Sequence, residues 1–283
     1  MKHKQILVAM MIAVLGAGHA LADGSAPSYG KCAPMGSAGS LNLATDQPDT
    51  LIVATVLPNP GWYNGMSPAS TQDGFEYCMA AEIAHRAGLK NLKLLNLAWD
   101  QYISGTARGY DVAIATTTIT EKRKQIFNFS QPYFNSNLGV AVKAGTDVTA
   151  SNIRSKHIGV IQGNMGSDWV INTLKPSRQP ALYQTQPDLV NALLAGQVDA
   201  IISDTTLVLS ATAGTKGAAE VIGQYDVEQG YGAVTPKNSK NSAAIDNVIG
   251  DMMKDGTIAA LSASYLAPLF GKDPNSVPVW QLP

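Results

Sequence analysis

The sequence predicts an α/β protein with mostly parallel sheets. Short β-branched runs alternate with helical stretches from position 49 onward, each stretch carries one apolar stripe, and the distinctive polar and aromatic residues fall just after the β runs. The candidate strands are 51–56 (LIVATV), 91–97, 111–115, 157–161, 181–185 and 199–203. Between the first two, Phe75, Met79 and Ile83 recur every four residues on one helical face. Leu189, Leu193 and Leu194 mark a helix near 187–196. Ile245, Val248, Ile249 and Met252 mark a late one with i, i+3, i+4, i+7 spacing. Sheets of this kind take ligands outside the carboxyl ends of their strands, where helix N-termini point free N–H groups at one crevice.

The 283 residues are 45% hydrophobic and 14% charged, enough for one large domain or two modest ones. Basic side chains (20) and acidic ones (21) nearly cancel, so no charge excess points to nucleic acid. Lys2 and Lys4 precede an apolar run from Ile6 to Leu15, and the segment closes on Ala20, Leu21 and Ala22. The run is too short for a bilayer span of about 20 residues. Residues 1–22 are therefore expected to be a secretory signal peptide cleaved after Ala22, leaving a free, soluble exported protein that begins with a Gly/Ser/Ala-rich arm over 23–49.

Cys32 and Cys78 are the only cysteines, and an even count in an exported chain favours one disulfide over two unrelated thiols. Once His3 and His19 leave with the signal peptide, His85 and His157 are too few for a zinc site or a Ser-His-Asp triad. Cys78 and His85 stand i, i+7 on one helix, a poor metal spacing, and no Walker loop, GxSxG or GxGxxG occurs. Neither a metal nor a cofactor is expected.

The loops after the strands carry the candidate chemistry. In TTTITEKR (116–123), Thr118 and Glu121 fit a capping box, so a helix is expected to start at Thr118 with Arg123 one turn on. A carboxylate there could take hydroxyl and N–H bonds with a bidentate guanidinium pair; a capped surface helix with a solvated arginine is the alternative. Asp204 follows an apolar strand, either as the partner of a ligand ammonium or as the N-cap of a helix near Thr205. QGNMGSD (162–168) joins a strand to a helix through two glycines that let the backbone approach a ligand. Trp62 and Trp99 follow the first two strands and could wall an apolar or cation-π pocket.

Read in order, GFEYCMAAEIA (74–84), Trp99-Asp100, GYD (109–111), TTTITEKR and FNFSQPYF (127–134) resemble the periplasmic amino-acid-binding proteins of ABC importers, over residues 50–272. The resemblance implies a two-lobe periplasmic-binding-protein fold of type II, crossed near 138–143 and 231–235. Lobe one would be 50–138 and 235–272, lobe two 141–230, and 273–283 a C-terminal tail. Thr116 and Thr118 would meet the α-amino and α-carboxylate groups, and Arg123 would clamp the carboxylate. Asn164 and Met165 would add backbone N–H groups, Asp204 would pair with the ammonium, and Trp99 would pack on the ligand side chain. The implied partners are an amino-acid-like ligand and an inner-membrane ABC permease, for a monomer in the periplasm. A periplasmic dehydratase of the cyclohexadienyl type and a ligand-presenting chemosensory protein are the alternatives, and no catalytic acid stands out for the former. Val56 stands where binders of basic amino acids often carry Asp, and Asn59 where they carry an aromatic residue, so weak binding of Arg, Lys or His is expected. Met165 replaces a usual Thr, and the first loop (57–73) is longer than the family's hairpin.

Overall fold

In the computed structural model, which describes residues 27–271 and 273–283, ten strands form two five-stranded sheets. The signal-peptide reading for 1–22, and residues 23–26 of the arm, lie outside the described residues. In chain order the strands are β1 (Thr50–Thr55), β2 (Asn91–Asn96), β3 (Val112–Ala113), β4 (Phe127–Phe129), β5 (Phe134–Lys143), β6 (Ile158–Ile161), β7 (Ala181–Tyr183), β8 (Ala200–Asp204), β9 (Ala219–Tyr231) and β10 (Val234–Pro236). The sheets run β2-β1-β3-β10-β4 and β7-β6-β8-β5-β9. β1 pairs parallel with β2 and β3, and β6 parallel with β7 and β8. The antiparallel members are β10 and β5, each the strand that has just arrived from the other sheet.

Central strands read as unbroken apolar runs because both faces are covered. β6 and β8 are buried at every position, as is β1 after its first residue, whereas edge strand β2 is mostly exposed or half-buried. The helices are α1 (Phe75–Arg86), α2 (Trp99–Ile103), α3 (Glu121–Lys124), α4 (Met165–Trp169), α5 (Gln186–Leu194), α6 (Thr205–Ala213), α7 (Ser242–Lys254), α8 (Thr257–Tyr265) and α9 (Ala267–Phe270). None among the described residues is long and apolar enough to cross a membrane. The three apolar stripes read from sequence lie on α1, α5 and α7.

Two expectations need correction. The first crossing is not at 138–143: β5 pairs with β8 and β9 along its length, so the chain leaves the first sheet after Phe129 and enters the second at Phe134. Its register slips between Ser136 and Leu138 and again between Val140 and Ala141, which breaks the two-residue alternation that would have marked it as a strand. The second correction concerns the helix after β3, which starts at Glu121 rather than Thr118. Thr120 is its cap, its hydroxyl accepting from Arg123 N at 3.1 Å. Residues 117–119 are drawn into extended pairing with the returning strand: Gly232 N donates to Thr117 O (3.0 Å) and Ile119 N to Gly230 O (2.9 Å).

The arm is laid over lobe one. Glu82 Oε2 and Oε1 accept from Met35 N and Gly36 N at 2.8 and 2.7 Å, Ala44 and the Asn241 amide bond reciprocally at 2.9 and 2.8 Å, and Cys32 is bridged to Cys78 on α1. The tail crosses to lobe two, where Gln224 N donates to Pro278 O (2.9 Å) and Trp280 N to Gln224 O (2.8 Å).

The first turn of α1 buries Glu76 completely. Its Oε1 accepts from Thr116 N at 2.7 Å and from the Tyr133 hydroxyl, while Oε2 has no partner among the described residues. Burial drives this carboxyl up to about 7, against the pull of those two donors.

Two outcomes are expected. The bridged cysteines are 46 residues apart, so replacing both with serine should lower the unfolding free energy by about 4 kcal/mol in urea titrations. A loss below about 1 kcal/mol would contradict this. At Glu76 the folded state keeps its proton over pH 4.5 to 7 while the unfolded state has lost it, so stability falls as pH rises through that window and levels off above it. The drop is about 3 kcal/mol. Glu76→Gln should remove most of the slope in chemical denaturation at several pH values, and an unchanged slope would mean that other groups set it.

Candidate functional site

Six parallel strands, three from each sheet, end at one cleft of about 380 Å³. Its walls come from 56–59, 96–100 and 115–118 on the first lobe and from 161–165, 184–187 and 203–207 on the second. The strand-end rule thus accounts for nearly the whole lining. Seven of the eight predicted residues are there: Trp99, Thr116, Thr118, Arg123, Asn164, Met165 and Asp204.

Arg123 is buried, and its guanidinium donates to two carbonyls: Nη1 to Thr118 O at 2.9 Å, and Nη2 to Gly163 O, across the cleft, at 3.1 Å. The ring of Trp99 lies under it, 5.4 Å from guanidinium carbon to ring centroid. Burial lowers its pKa from the usual arginine value, with Tyr102, Asp204 and Asp168 working the other way.

Asp204 occupies the N-cap position of α6, but its side chain does not cap. Its Oδ1 instead accepts from Gln229 Nε2 at 2.8 Å. Burial raises its pKa, partly offset by Tyr231, Gln229 and the charge of Arg123. Neither Arg123 nor Asp204 forms a salt bridge with any described residue.

The smaller donors and acceptors are set by their neighbours. Gln229 Nε2 donates to Asp204 Oδ1 and to Asn137 O, leaving Oε1 to accept from the Thr118 hydroxyl at 3.0 Å. Thr118 therefore faces the cleft as an acceptor. Thr116 spends its N–H on Glu76 and keeps a hydroxyl with no partner among the described residues. Asn164 differs from expectation in its backbone: its N–H turns back to Ile161 O at 3.3 Å, and its side chain caps α4 through Ser167 N at 2.8 Å. Met165, first in α4, has an N–H outside any helical bond.

Trp62 is a correction. It is fully buried and packs edge-on against Phe75, Phe134 and Tyr231, behind the cleft rather than in it. The long first loop folds back, Phe75 N and Glu76 N bonding to Gly61 O and Trp62 O, and carries the indole into the core between the lobes.

Sequence reasoning missed Gln229 and Tyr231, which hold Asp204, and read Gly163 as a point of close backbone approach without foreseeing that its carbonyl holds Arg123. Asn59, read from sequence as a departure that bears on specificity, belongs to a band of amides around the rest of the cleft whose other members, Asn96, Gln184 and Gln186, were passed over. Gln186 could have been found, since it follows the 181–185 run as the other site residues follow theirs. Two buried N–H groups of the lining, Trp99 Nε1 and Gln186 Nε2, have no acceptor among the described residues.

Comparison with known proteins agrees with this geometry. The L-cystine-binding protein TcyJ of Escherichia coli (strain K12) is 29% identical over 205 residues, covering 71% of this chain and 75% of that protein. An ancestral arginine-binding protein bound to arginine superposes with a TM-score of 0.69 at 26% identity, over 77% of this chain and 99% of that one. The arginine-, lysine-, histidine-binding protein ArtJ from Geobacillus stearothermophilus gives 0.66 at 25% identity, over 80% and 96%. Residues 52–268 match the family of bacterial extracellular solute-binding proteins, family 3, and the chain belongs to it.

Proposed function

We propose that this protein is an exported, monomeric capture protein for an α-amino acid with an uncharged polar side chain, enclosed between the lobes and handed to an inner-membrane ABC permease. The observation that carries this reading is the pair of buried, unpaired, opposite charges, Arg123 on one lobe and Asp204 on the other, lining a single cleft. A zwitterion answers both, since its carboxylate and ammonium replace the water that each charge gave up.

The remaining contacts divide by chemistry. Arg123 retains three N–H donors beyond its two carbonyl bonds, and the Thr116 hydroxyl and the Met165 N–H are available to a carboxylate. Thr118, with its proton committed to Gln229, suits the ammonium beside Asp204. Where the ligand side chain would lie, the lining is Val56, Leu57, Pro58 and Leu97 with the amide band, and Asp100 is exposed at the rim. A cationic side chain would lack a buried counter-charge there. The unpartnered N–H groups of Trp99 and Gln186 favour a side chain ending in an acceptor.

Calorimetry with a panel of amino acids tests the reading. L-glutamine should bind at least tenfold more tightly than L-arginine, L-lysine and L-histidine, and preference for a basic amino acid would overturn the side-chain assignment. Arg123→Ala should weaken binding by at least ~30-fold, about 2 kcal/mol or more, and Asp204→Asn similarly with the circular dichroism spectrum unchanged. A loss under threefold for either would defeat the zwitterion clamp.

Affinity should also depend on pH in a defined direction. Asp204 must be ionised to pair with the ammonium, and its carboxyl is raised by burial. Binding should therefore be full above its pKa and weaken as pH falls through it, from a higher pH than an ordinary aspartate would set. Asp204→Asn should abolish that dependence, and a pH-independent Kd in the parent protein would contradict it.

A further inference from the structure

We propose that Glu76 is a positioning residue for ligand capture: from inside lobe one its carboxyl group holds Thr116 in the left-handed conformation that presents this side chain to the cleft, and ties the turn to the first crossing segment through Tyr133. The inference rests on the cleft being the ligand site, as proposed above.

The backbone of Thr116 is the reason to look for a holder. Five non-glycine residues among those described have positive φ: Asp49, Thr116, Lys175, Lys216 and Glu228. Thr116, at +46°, is the one β-branched residue among the five and the one that is buried; the other four are exposed. A β-branched side chain is sterically disfavoured in this region and persists there only where its surroundings impose it. The conformation occurs at the carboxyl end of β3, where the chain turns from the sheet into the cleft wall.

Glu76 supplies the constraint. Its Oε1 takes the Thr116 N–H at 2.7 Å from a position fixed by the first turn of α1, and the same oxygen takes the Tyr133 hydroxyl. Tyr133 lies between β4 and β5, in the first crossing, and its own N–H bonds to Tyr231 O at 2.9 Å, on the strand that returns. One buried carboxyl thus joins the binding turn to both segments that link the lobes. Downstream of Thr116 the chain is secured by other bonds: the Tyr102 hydroxyl meets Thr117 Oγ1 at 2.7 Å, and Gly232 N bonds Thr117 O at 3.0 Å. The peptide N–H entering the left-handed residue is left to Glu76.

A purely structural acid would need none of this geometry. Its second oxygen, Oε2, has no partner among the described residues, so the group is poorly optimised for stability and raised in pKa by its burial. The titratable groups facing it are the phenols of Tyr63, Tyr102 and Tyr133, all raised by burial and neutral below pH 9. Among the described residues, the groups bonded to its carboxyl are the Thr116 N–H and the Tyr133 phenol, neither of which changes charge between pH 5 and 8.5.

Two experiments test the proposal, the first without any ligand. In amide NMR spectra of the ligand-free protein between pH 5 and 8.5, the Thr116 N–H should be protected from exchange and its shift should titrate. In Glu76→Gln, whose carbonyl oxygen still accepts, protection should remain and the titration disappear. A Thr116 amide that exchanges freely, or titrates unchanged in Glu76→Gln, overturns the proposal. In the second, calorimetry with L-glutamine at pH 6, Glu76→Gln should stay within about threefold of the parent and Glu76→Ala should lose at least ~10-fold. In a Thr116→Gly background, where glycine adopts positive φ unaided, Glu76→Ala should lose less than about threefold. Equal losses in both backgrounds, or no loss in the parent, overturn it. Loss of binding in Arg123→Ala with no effect at Glu76 would refute this inference alone. Should the parent not bind L-glutamine, or Glu76→Ala not fold, the ligand-free spectra decide.

Discussion

The antiparallel ladder between β5 and β9 is the constraint on which the site depends. One strand brings the chain into lobe two and the other takes it back, and they pair from Phe134 with Tyr231 to Lys143 with Ala219. β5 also pairs with β8, so the ladder fixes the end of β8, where Asp204 stands opposite Leu138. β9 delivers Gln229 and Tyr231 to that carboxylate, and at its end the returning chain pairs with Thr117 and Ile119 of lobe one. The segments that must bend if the lobes move are thus the same segments that hold the anionic half of the site.

The topology explains why a single cleft forms. In each sheet the strand from the other lobe inserts antiparallel between the third and fourth strands, leaving the three outer parallel strands to end on the same side. Two such fans of strand ends face each other. Helix N-termini and loops gather there because parallel strands require crossover helices, and each crossover begins where a strand stops. Arg123 Nη2 to Gly163 O and the Ser210 hydroxyl to Pro60 O, at 3.1 and 2.8 Å, are contacts that span from one lobe to the other.

What was legible in the sequence was local, and what was missed depends on pairing between distant segments. TTTITEKR and Asp204 could be read because each stands at or just beyond the carboxyl end of an apolar strand, and apolar periodicity located α1, α5 and α7. β5 and β9 were invisible to the same reasoning: their bulges interrupt the alternation, and their partners lie some 90 residues away along the chain. The capping box at Thr118 is a correct local pattern overridden by a remote strand that claims residues 117–119, so the cap falls to Thr120. Trp62 misled for a related reason. Following a strand end makes a residue a candidate for the cleft, but the long loop after β1 turns its aromatic residues back into the core before the helix begins. Glu76 gave no signal at all, since its partners at 116 and 133 come together only in the folded chain.

Two buried arginines differ in how their charge is answered. Arg86 and Arg123 are each 7% exposed, and burial acts on both to lower the pKa. At Arg86 the carboxylates of Glu82 and Asp255, each 2.7 Å away, more than reverse the effect, and the pKa is raised; its charge is fully answered within the protein. At Arg123 burial prevails, because the partners in contact are two neutral carbonyls and an aromatic face. A guanidinium in that position has exchanged water for dipoles and retains an unmet demand for an anion. The same comparison separates Asp204, held by an amide and a phenol, from Glu82, held by Arg86 and two backbone N–H groups. Between the two buried arginines the difference lies not in burial but in the charge of the neighbours.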